Sequence, residues 1–316
     1  MQRLLLIKTS SLGDVVHAFP VLTDLSRHCP DLSVDWLVEE NLVDLPRLHP
    51  AVGRVIPVAL RRWRHSLWSA TTQGELQRLR QILDTHAHDA SLDLQGLIKS
   101  ALIGLYGPRQ RLGYDWHSIR EPLASLFYTQ RFAVSRQQHA VNRNRQLSAS
   151  ALGYRIDTPV DYGLTKPLAC PVGYDHPYVM FLHGTSRSDK EWPISQWIKL
   201  GQHLSASGST ILLPGGSPSE QQRARHIAQQ IPMARALPSL DLTTLAALLS
   251  HAEGIVGVDT GLTHLATALN RPVVALYTAT HPEATGVVGS CRATNLGGPG
   301  DCPDSETVIR TLEQLR

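Results

Sequence analysis

Residues 254–277 read GIVGVDTGLTHLATALNRPVVALY, and their reading decides the fold. Residues 254–258 form a short apolar run with the character of a buried strand. Asp259, Thr260 and Gly261 turn the chain, an apolar helical pattern runs to Asn270, and Pro272 opens a second apolar run at 273–277. Antiparallel strands close through a tight hairpin, whereas parallel strands need a crossover of this kind. The stretch therefore reads as a βαβ unit of a parallel sheet.

Working outward, the same alternation recurs along the chain. Strands are expected at 178–183 and 210–213 in this half, and at 3–8, 33–38, 54–58 and 90–94 in the other. Between the two series lies DTPVDYGLTKPLACPVGYDHP, residues 157–177, with four prolines, two glycines and no helical period. Two Rossmann-like α/β domains facing a central cleft follow. The expected bounds are 1–160 for the first domain, 161–177 for the linker and 178–300 for the second. The last segment, 301–316, carries a helical pattern from Glu306 to Leu315 and is expected to pack back on the first domain.

The composition fits a globular enzyme: 316 residues, 42% hydrophobic and 18% charged. No apolar stretch approaches the ~20 residues of a membrane span. A strand begins almost at Met1, leaving no room for a signal peptide, so a cytoplasmic location is expected. The four cysteines lack zinc-type spacing and read as ordinary thiols. Net charge is +3 overall but uneven. Residues 1–160 hold 19 Lys/Arg against 14 Asp/Glu, and residues 161–316 hold 11 against 13. The cluster Arg61-Arg62-Trp63-Arg64-His65, and eight Lys/Arg against two acids over 99–145, point to an acidic partner or a solvated basic face. Aromatic residues make up only 6% and are not interleaved with these cations as stacking platforms, which argues against nucleic acid.

Strand-to-helix turns of such a sheet open onto its carboxyl edge, where ligands bind. In the second half three turns carry suitable chemistry. The loop after 178–183 holds Gly184, Thr185, Ser186 and Lys190: room for close approach, two hydroxyls and a cation for phosphate, or else a polar turn. The turn LLPGGSPSE places Glu220 at a helix start, where it either caps the helix or accepts hydrogen bonds from ribose. Asp259 reads as an N-cap or a ligand group. Thr260 and Gly261 aim N–H groups and a hydroxyl at a pyrophosphate, with His264 one turn further on the same face. No G-x-G-x-x-G or G-x-x-x-x-G-K-[ST] occurs, which excludes the standard dinucleotide and P-loop sites. In the first half, IKTSSLGDVVH (7–17) sets Asp14 at a helix start, where a carboxylate serves as a cap or as a base.

These residues resemble the bacterial ADP-heptose glycosyltransferase family, the heptosyltransferases. The blocks KTSSLGDVVHAFP, VDWLVEE, RVIPVALRRWR, LDLQGLIKSAL, DWHSIREPLASLFY, QQHAVNRNRQL, HGTSRSDKEWP and VDTGLTHLATAL carry the resemblance over nearly the whole chain. Residues 103–112 match less well than their flanks. The resemblance implies a GT-B fold and inverting transfer of L-glycero-D-manno-heptose from ADP-L-glycero-β-D-manno-heptose. The implied acceptor is a hydroxyl of Kdo-lipid A. The RRWR and DLQGLIKSA blocks favour that acceptor over an already heptosylated core, and a sugar-nucleotide epimerase is the remaining rival.

Family roles fall on Asp14 as general base, on Thr185, Ser186 and Lys190 at phosphate, and on Glu220 at ribose. Asp259, Thr260, Gly261 and His264 fall at the sugar and pyrophosphate. Ser11, Gly13, Arg61, Arg62, Arg64, Lys99 and Arg120 become acceptor-binding candidates, since arginine suits carboxylate and phosphate. No DxD pair is present, so no metal is expected to be obligatory and Mg²⁺ is at most stimulatory. The cations imply peripheral contact with the anionic cytoplasmic face of the inner membrane, and the chain is expected to be a monomer.

Overall fold

The computed structural model describes residues 1–165, 168–174 and 176–316; Lys166, Pro167 and Asp175 of the expected linker lie outside the described residues. The chain forms two compact units, Met1–Lys166 and Pro167–Arg316.

The first unit contains strands β1 (Arg3–Ile7), β2 (Ser33–Glu39), β3 (Val52–Val58), β4 (Ala90–Asp93), β5 (Gln110–Tyr114) and β6 (Gln130–Phe132). Its helices are α1 (Leu12–Val16), α2 (Phe19–His28), α3 (Asp44–Arg47), α4 (Leu60–Trp63), α5 (Ala70–His86), α6 (Ile98–Gly104) and α7 (Ala140–Leu152). All strands run parallel in the order β3-β2-β1-β4-β5-β6. Leu4, Leu5, Leu6 and Ile7 are all buried, because helices cover both faces of a parallel sheet and every residue of a central strand must be apolar. Leu5 and Ile7 pack with Trp63, Leu79 and Leu83 on one side. Trp36 is buried too; it meets Phe19 edge-on and donates from Nε1 to the Lys8 carbonyl at 3.0 Å.

The second unit repeats the plan. Strands β7 (Tyr178–Leu182), β8 (Thr210–Leu213), β9 (Ala234–Ala236), β10 (Gly254–Val258), β11 (Val273–Tyr277) and β12 (Ala293–Gly297) form a parallel sheet in the order β12-β11-β10-β7-β8-β9. The helices are α8 (Ile194–Ala206), α9 (Pro218–Ala228), α10 (Leu242–His251), α11 (Gly261–Ala268), α12 (Pro282–Thr285) and α13 (Ser305–Leu315). Trp192, Trp197, Phe181 and Val256 sit in its core.

Two expectations are corrected here. The C-terminal helix is part of the second unit: Asp304 caps α13, and its Val308 and Leu312 are buried in the second core against β10, β11 and α8. Its apolar stripe is thus filled by its own sheet. The first domain also extends past residue 160. Arg145, paired with Asp24 at 2.7 and 2.8 Å, donates to the Thr158 carbonyl, Arg27 binds Asp161, and Tyr162 is buried. The eight expected strands are present. Four others, β5, β6, β9 and β12, lacked a signal because their sequences (QRLGY, QRF, ARA, ATNLG) are polar or small. Three of them are sheet edges, where half-burial weakens the apolar pattern.

Candidate active site

In each sheet the strand order reverses once, between β1 and β4 and between β7 and β10. A crevice opens there at the carboxyl ends of the strands. Asp14 follows β1 and Asp259 follows β10, each beside one of these two places.

In the second unit, Asp259 follows β10. Burial favours its neutral form, but interactions with His264, Lys190 and Thr280 outweigh that and hold its carboxyl well below the usual carboxylate range. Lys190 Nζ donates to Oδ2 at 2.7 Å, Thr280 Oγ1 donates to the same oxygen at 2.7 Å, and His264 Nε2 stands 3.8 Å from Oδ1. Asp259 is therefore not the N-cap of α11; Thr260 takes that position. Thr185 Oγ1 donates to the Asp259 carbonyl at 3.2 Å, joining the loops after β7 and β10 across the reversal point. Together Thr185, Lys190, Asp259, Thr260, Gly261 and His264 surround the start of α11. Its free N–H groups and dipole favour an anion there. Ser186 is exposed in the same loop.

Glu220 caps its own helix. Its Oε2 accepts from the Gly216 and Ser217 N–H groups at 2.8 and 3.0 Å, and Ser217 Oγ accepts from the Glu220 N–H, completing a capping box. Its other oxygen lies over Gly184: a Cβ added there would come within 2.8 Å of Oε1. Glycine is thus what lets the Glu220 carboxylate approach the loop after β7. His183 is buried beside it, and burial, helped by Arg223, lowers its pKa to about 4.

In the first unit, Ser11 caps α1. Asp14, three residues on, accepts from the Ser11 N–H at 2.9 Å and Oγ at 3.0 Å, both at Oδ2. Oδ1 faces Lys8 Nζ at 3.9 Å, and the Asp14 side chain is 42% exposed. Lys8 is enclosed, donating to the Leu94 carbonyl at 2.9 Å. Burial lowers its pKa, while Asp14 and Asp93 work in the opposite direction. Gln95 Oε1 accepts from the Thr9 and Ser10 N–H groups at 3.0 and 3.1 Å, and Lys99 Nζ reaches Ser10 Oγ at 3.5 Å. Gly13 lies within the same first turn of α1. Arg120 is exposed and near enough to Lys8 to disfavour its charge.

The basic cluster divides. Arg62 donates to Glu40 at 3.0 Å and to Glu75 at 2.9 and 3.2 Å, so its guanidinium braces α4 against α5. Its guanidinium is thus already paired with two carboxylates, while its side chain stays 45% exposed. Arg61 and Arg64 are exposed, with the Arg61 N–H held by Glu39 at 2.9 Å. Sequence reasoning missed Lys8 and Thr280. The first was signalled by a lysine ending an apolar strand (LLLIK), the second by the hydroxyls of YTAT after β11. Among the described residues no group of three or more His, Cys, Asp or Glu is placed to hold a metal ion.

The profile of glycosyltransferase family 9 (heptosyltransferase) matches residues 76–307. Lipopolysaccharide heptosyltransferase 1 of Pseudomonas aeruginosa is 44% identical over 302 residues, covering 95% of this chain and 85% of that protein. Escherichia coli heptosyltransferase WaaC with ADP superimposes with a TM-score of 0.92 at 39% identity, covering 99% of this chain and all of that one. The same enzyme with ADP-2-deoxy-2-fluoro heptose gives 0.88 at 39% identity and covers 99% and 100%. Fold and site thus define a glycosyltransferase of the GT-B type. More narrowly, the chain belongs to glycosyltransferase family 9 and is a heptosyltransferase.

Proposed function

We propose that this enzyme transfers L-glycero-D-manno-heptose from ADP-heptose to a Kdo hydroxyl of Kdo-lipid A, the first heptose addition of the lipopolysaccharide inner core. The observation that carries the reading is the 44% identity, over 95% of the chain, to a lipopolysaccharide heptosyltransferase 1. The donor assignment is supported by the E. coli relative, solved with ADP and with a fluorinated ADP-heptose.

Asp14 acts as the general base. Its Oδ2 is engaged by the cap, while Oδ1 is turned toward Lys8 and is the oxygen offered to the acceptor. As the Kdo oxygen forms its bond to the anomeric carbon, its proton passes to Asp14. The bond from that carbon to the diphosphate breaks on the opposite face, and configuration inverts. The electron pair leaves with ADP, whose growing charge meets Lys190 and the N–H groups at the start of α11. These groups do the work without an obligatory metal, and Mg²⁺ is at most a stimulant. Glu220 binds the ribose. Arg61, Arg64, Lys99 and Arg120 bind the acceptor's carboxylates and phosphates. The enzyme works as a peripheral protein at the cytoplasmic membrane face; among the described residues no helix is long and apolar enough to cross a membrane.

The test is transfer of labelled heptose to Kdo-lipid A and, in parallel, to heptosylated core. Product on Kdo-lipid A alone supports the reading. Product on heptosylated core alone moves the enzyme to the second addition, and turnover of the sugar nucleotide with neither acceptor overturns it.

A further inference from the structure

Four leucines of the first unit face solvent: Leu102 and Leu105 at the end of α6, and Leu123 and Leu126 on the 3₁₀ segment Pro122–Phe127. They are 43, 46, 55 and 60% exposed, respectively. Residues three apart share a face of an α-helix and eclipse one another in a 3₁₀ helix. The two elements pack side by side, fastened at their starts by the Ile98 N–H donating to Glu121 Oε2 at 2.7 Å. Ala101, Ile103, Ala124 and Ser125 face inward and are buried. The leucines thus form two exposed aliphatic pairs on adjoining elements, and exposed apolar surface of this sort marks interaction sites.

The rim of this surface is cationic. Arg111 Nε donates to the Phe127 carbonyl and Arg131 Nε to the Ser125 carbonyl, both at 2.8 Å, which sets two guanidinium groups along the 3₁₀ segment. Arg111 Nη1 also reaches the Arg109 carbonyl at 3.1 Å, and the Arg109 residue itself is exposed. The two acids between 99 and 145 are occupied within their own loops: Asp115 accepts from the Ser118 N–H, and Glu121 from Ile98. Aliphatic side chains ringed by uncompensated arginines match the surface of an anionic bilayer, with leucines among the upper acyl chains and guanidinium groups on phosphates. Pairing with a second copy across a two-fold axis would set this cationic rim against itself.

We propose that the face formed by α6 and the segment Pro122–Phe127 docks the enzyme on an anionic phospholipid bilayer. The inference rests on the proposed function only in that a lipid-borne acceptor gives the docking its purpose.

The test is sedimentation of the full chain with vesicles of phosphatidylglycerol and phosphatidylethanolamine, against vesicles of phosphatidylcholine alone. The wild type pellets with the anionic vesicles. The double variant Leu123→Gln/Leu126→Gln binds them about tenfold or more weakly, because half of the inserted aliphatic surface is gone. Both side chains are exposed, so its melting temperature and its transfer to a deacylated, water-soluble Kdo acceptor stay at wild-type values. Equal pelleting of variant and wild type overturns the proposal, as does a wild type that stays in the supernatant. Wild-type self-association that is lost in the variant, with no vesicle binding, replaces the bilayer by a second copy. The vesicles contain neither donor nor acceptor, so failure of the proposed transfer appears only in the transfer assay.

Discussion

Asp14→Asn separates the helix-cap role that the structure shows from the base role proposed for the same carboxylate. As part of the cap, Asp14 accepts from the Ser11 N–H and Oγ, and an amide oxygen in its place retains both acceptor contacts. The variant loses the negative charge at the start of α1, ~0.3–1 kcal/mol at an exposed helix terminus. It also loses the attraction to Lys8 at 3.9 Å. That attraction is about 4 kcal/mol at an effective dielectric of ~20, but at 42% exposure solvent screening cuts it to about 1 kcal/mol. The folding cost is therefore about 1–2 kcal/mol, and the melting temperature of the first unit falls by only a few degrees, on the order of 2–8 °C. Loss of a general base costs far more in rate, ~10²–10⁴-fold, or about 2.7–5.4 kcal/mol of barrier. The assay is turnover from ADP-heptose to Kdo-lipid A at saturation, with binding of both substrates and thermal melting measured on the same preparation. A folded, substrate-binding variant with turnover within about tenfold of wild type would falsify the assignment and leave Asp14 as a cap alone. A variant whose lost turnover merely follows its unfolded fraction refutes it equally.

Lys190→Ala removes the cation proposed to meet the diphosphate and leaves Asp259 with Thr280 and His264. Donor affinity should fall about 10–100-fold, the worth of one charge-assisted hydrogen bond, with acceptor affinity unchanged; calorimetry with ADP measures it, and an unaltered ADP affinity counts against the role. Transfer should continue in EDTA if, as proposed, Lys190 and the start of α11 carry the leaving-group charge. Complete loss, restored by Mg²⁺, would show that these groups are not sufficient. Burial lowers the pKa of His49 and of His183 from 6.5 to about 4, so the unfolded chain binds more protons than the folded one between those values. The resulting stability is fully present above pH 6.5 and is lost as pH falls toward about 4, on the order of 3 kcal/mol for each histidine. Urea midpoints should fall across that window, and His49→Gln and His183→Gln should each flatten the fall; midpoints constant with pH would contradict the burial argument.

Much of this enzyme could be read along the chain because the informative contacts are short-ranged. A parallel strand announces itself as an apolar run, and a turn by the hydroxyls, glycines and carboxylates of the next few residues. The strands flanking Asp14 and Asp259, and the turns bearing Thr185, Lys190, Glu220 and His264, are all of this kind. Weakly patterned elements escaped. QRF and ARA are strands only because a neighbouring strand offers them hydrogen bonds.

The sequence alone determined the class of fold and the strand-to-helix turns that carry the candidate residues, since each depends on local periodicity and turn chemistry. Tertiary structure decided the rest. Lys190 meets Asp259 across 69 residues, Lys8 comes to lie beside Asp14, Arg62 is claimed by Glu40 and Glu75, and α13 closes the second core. Those pairings follow from strand order and register, which bring distant side chains within reach of one another and which no local pattern encodes.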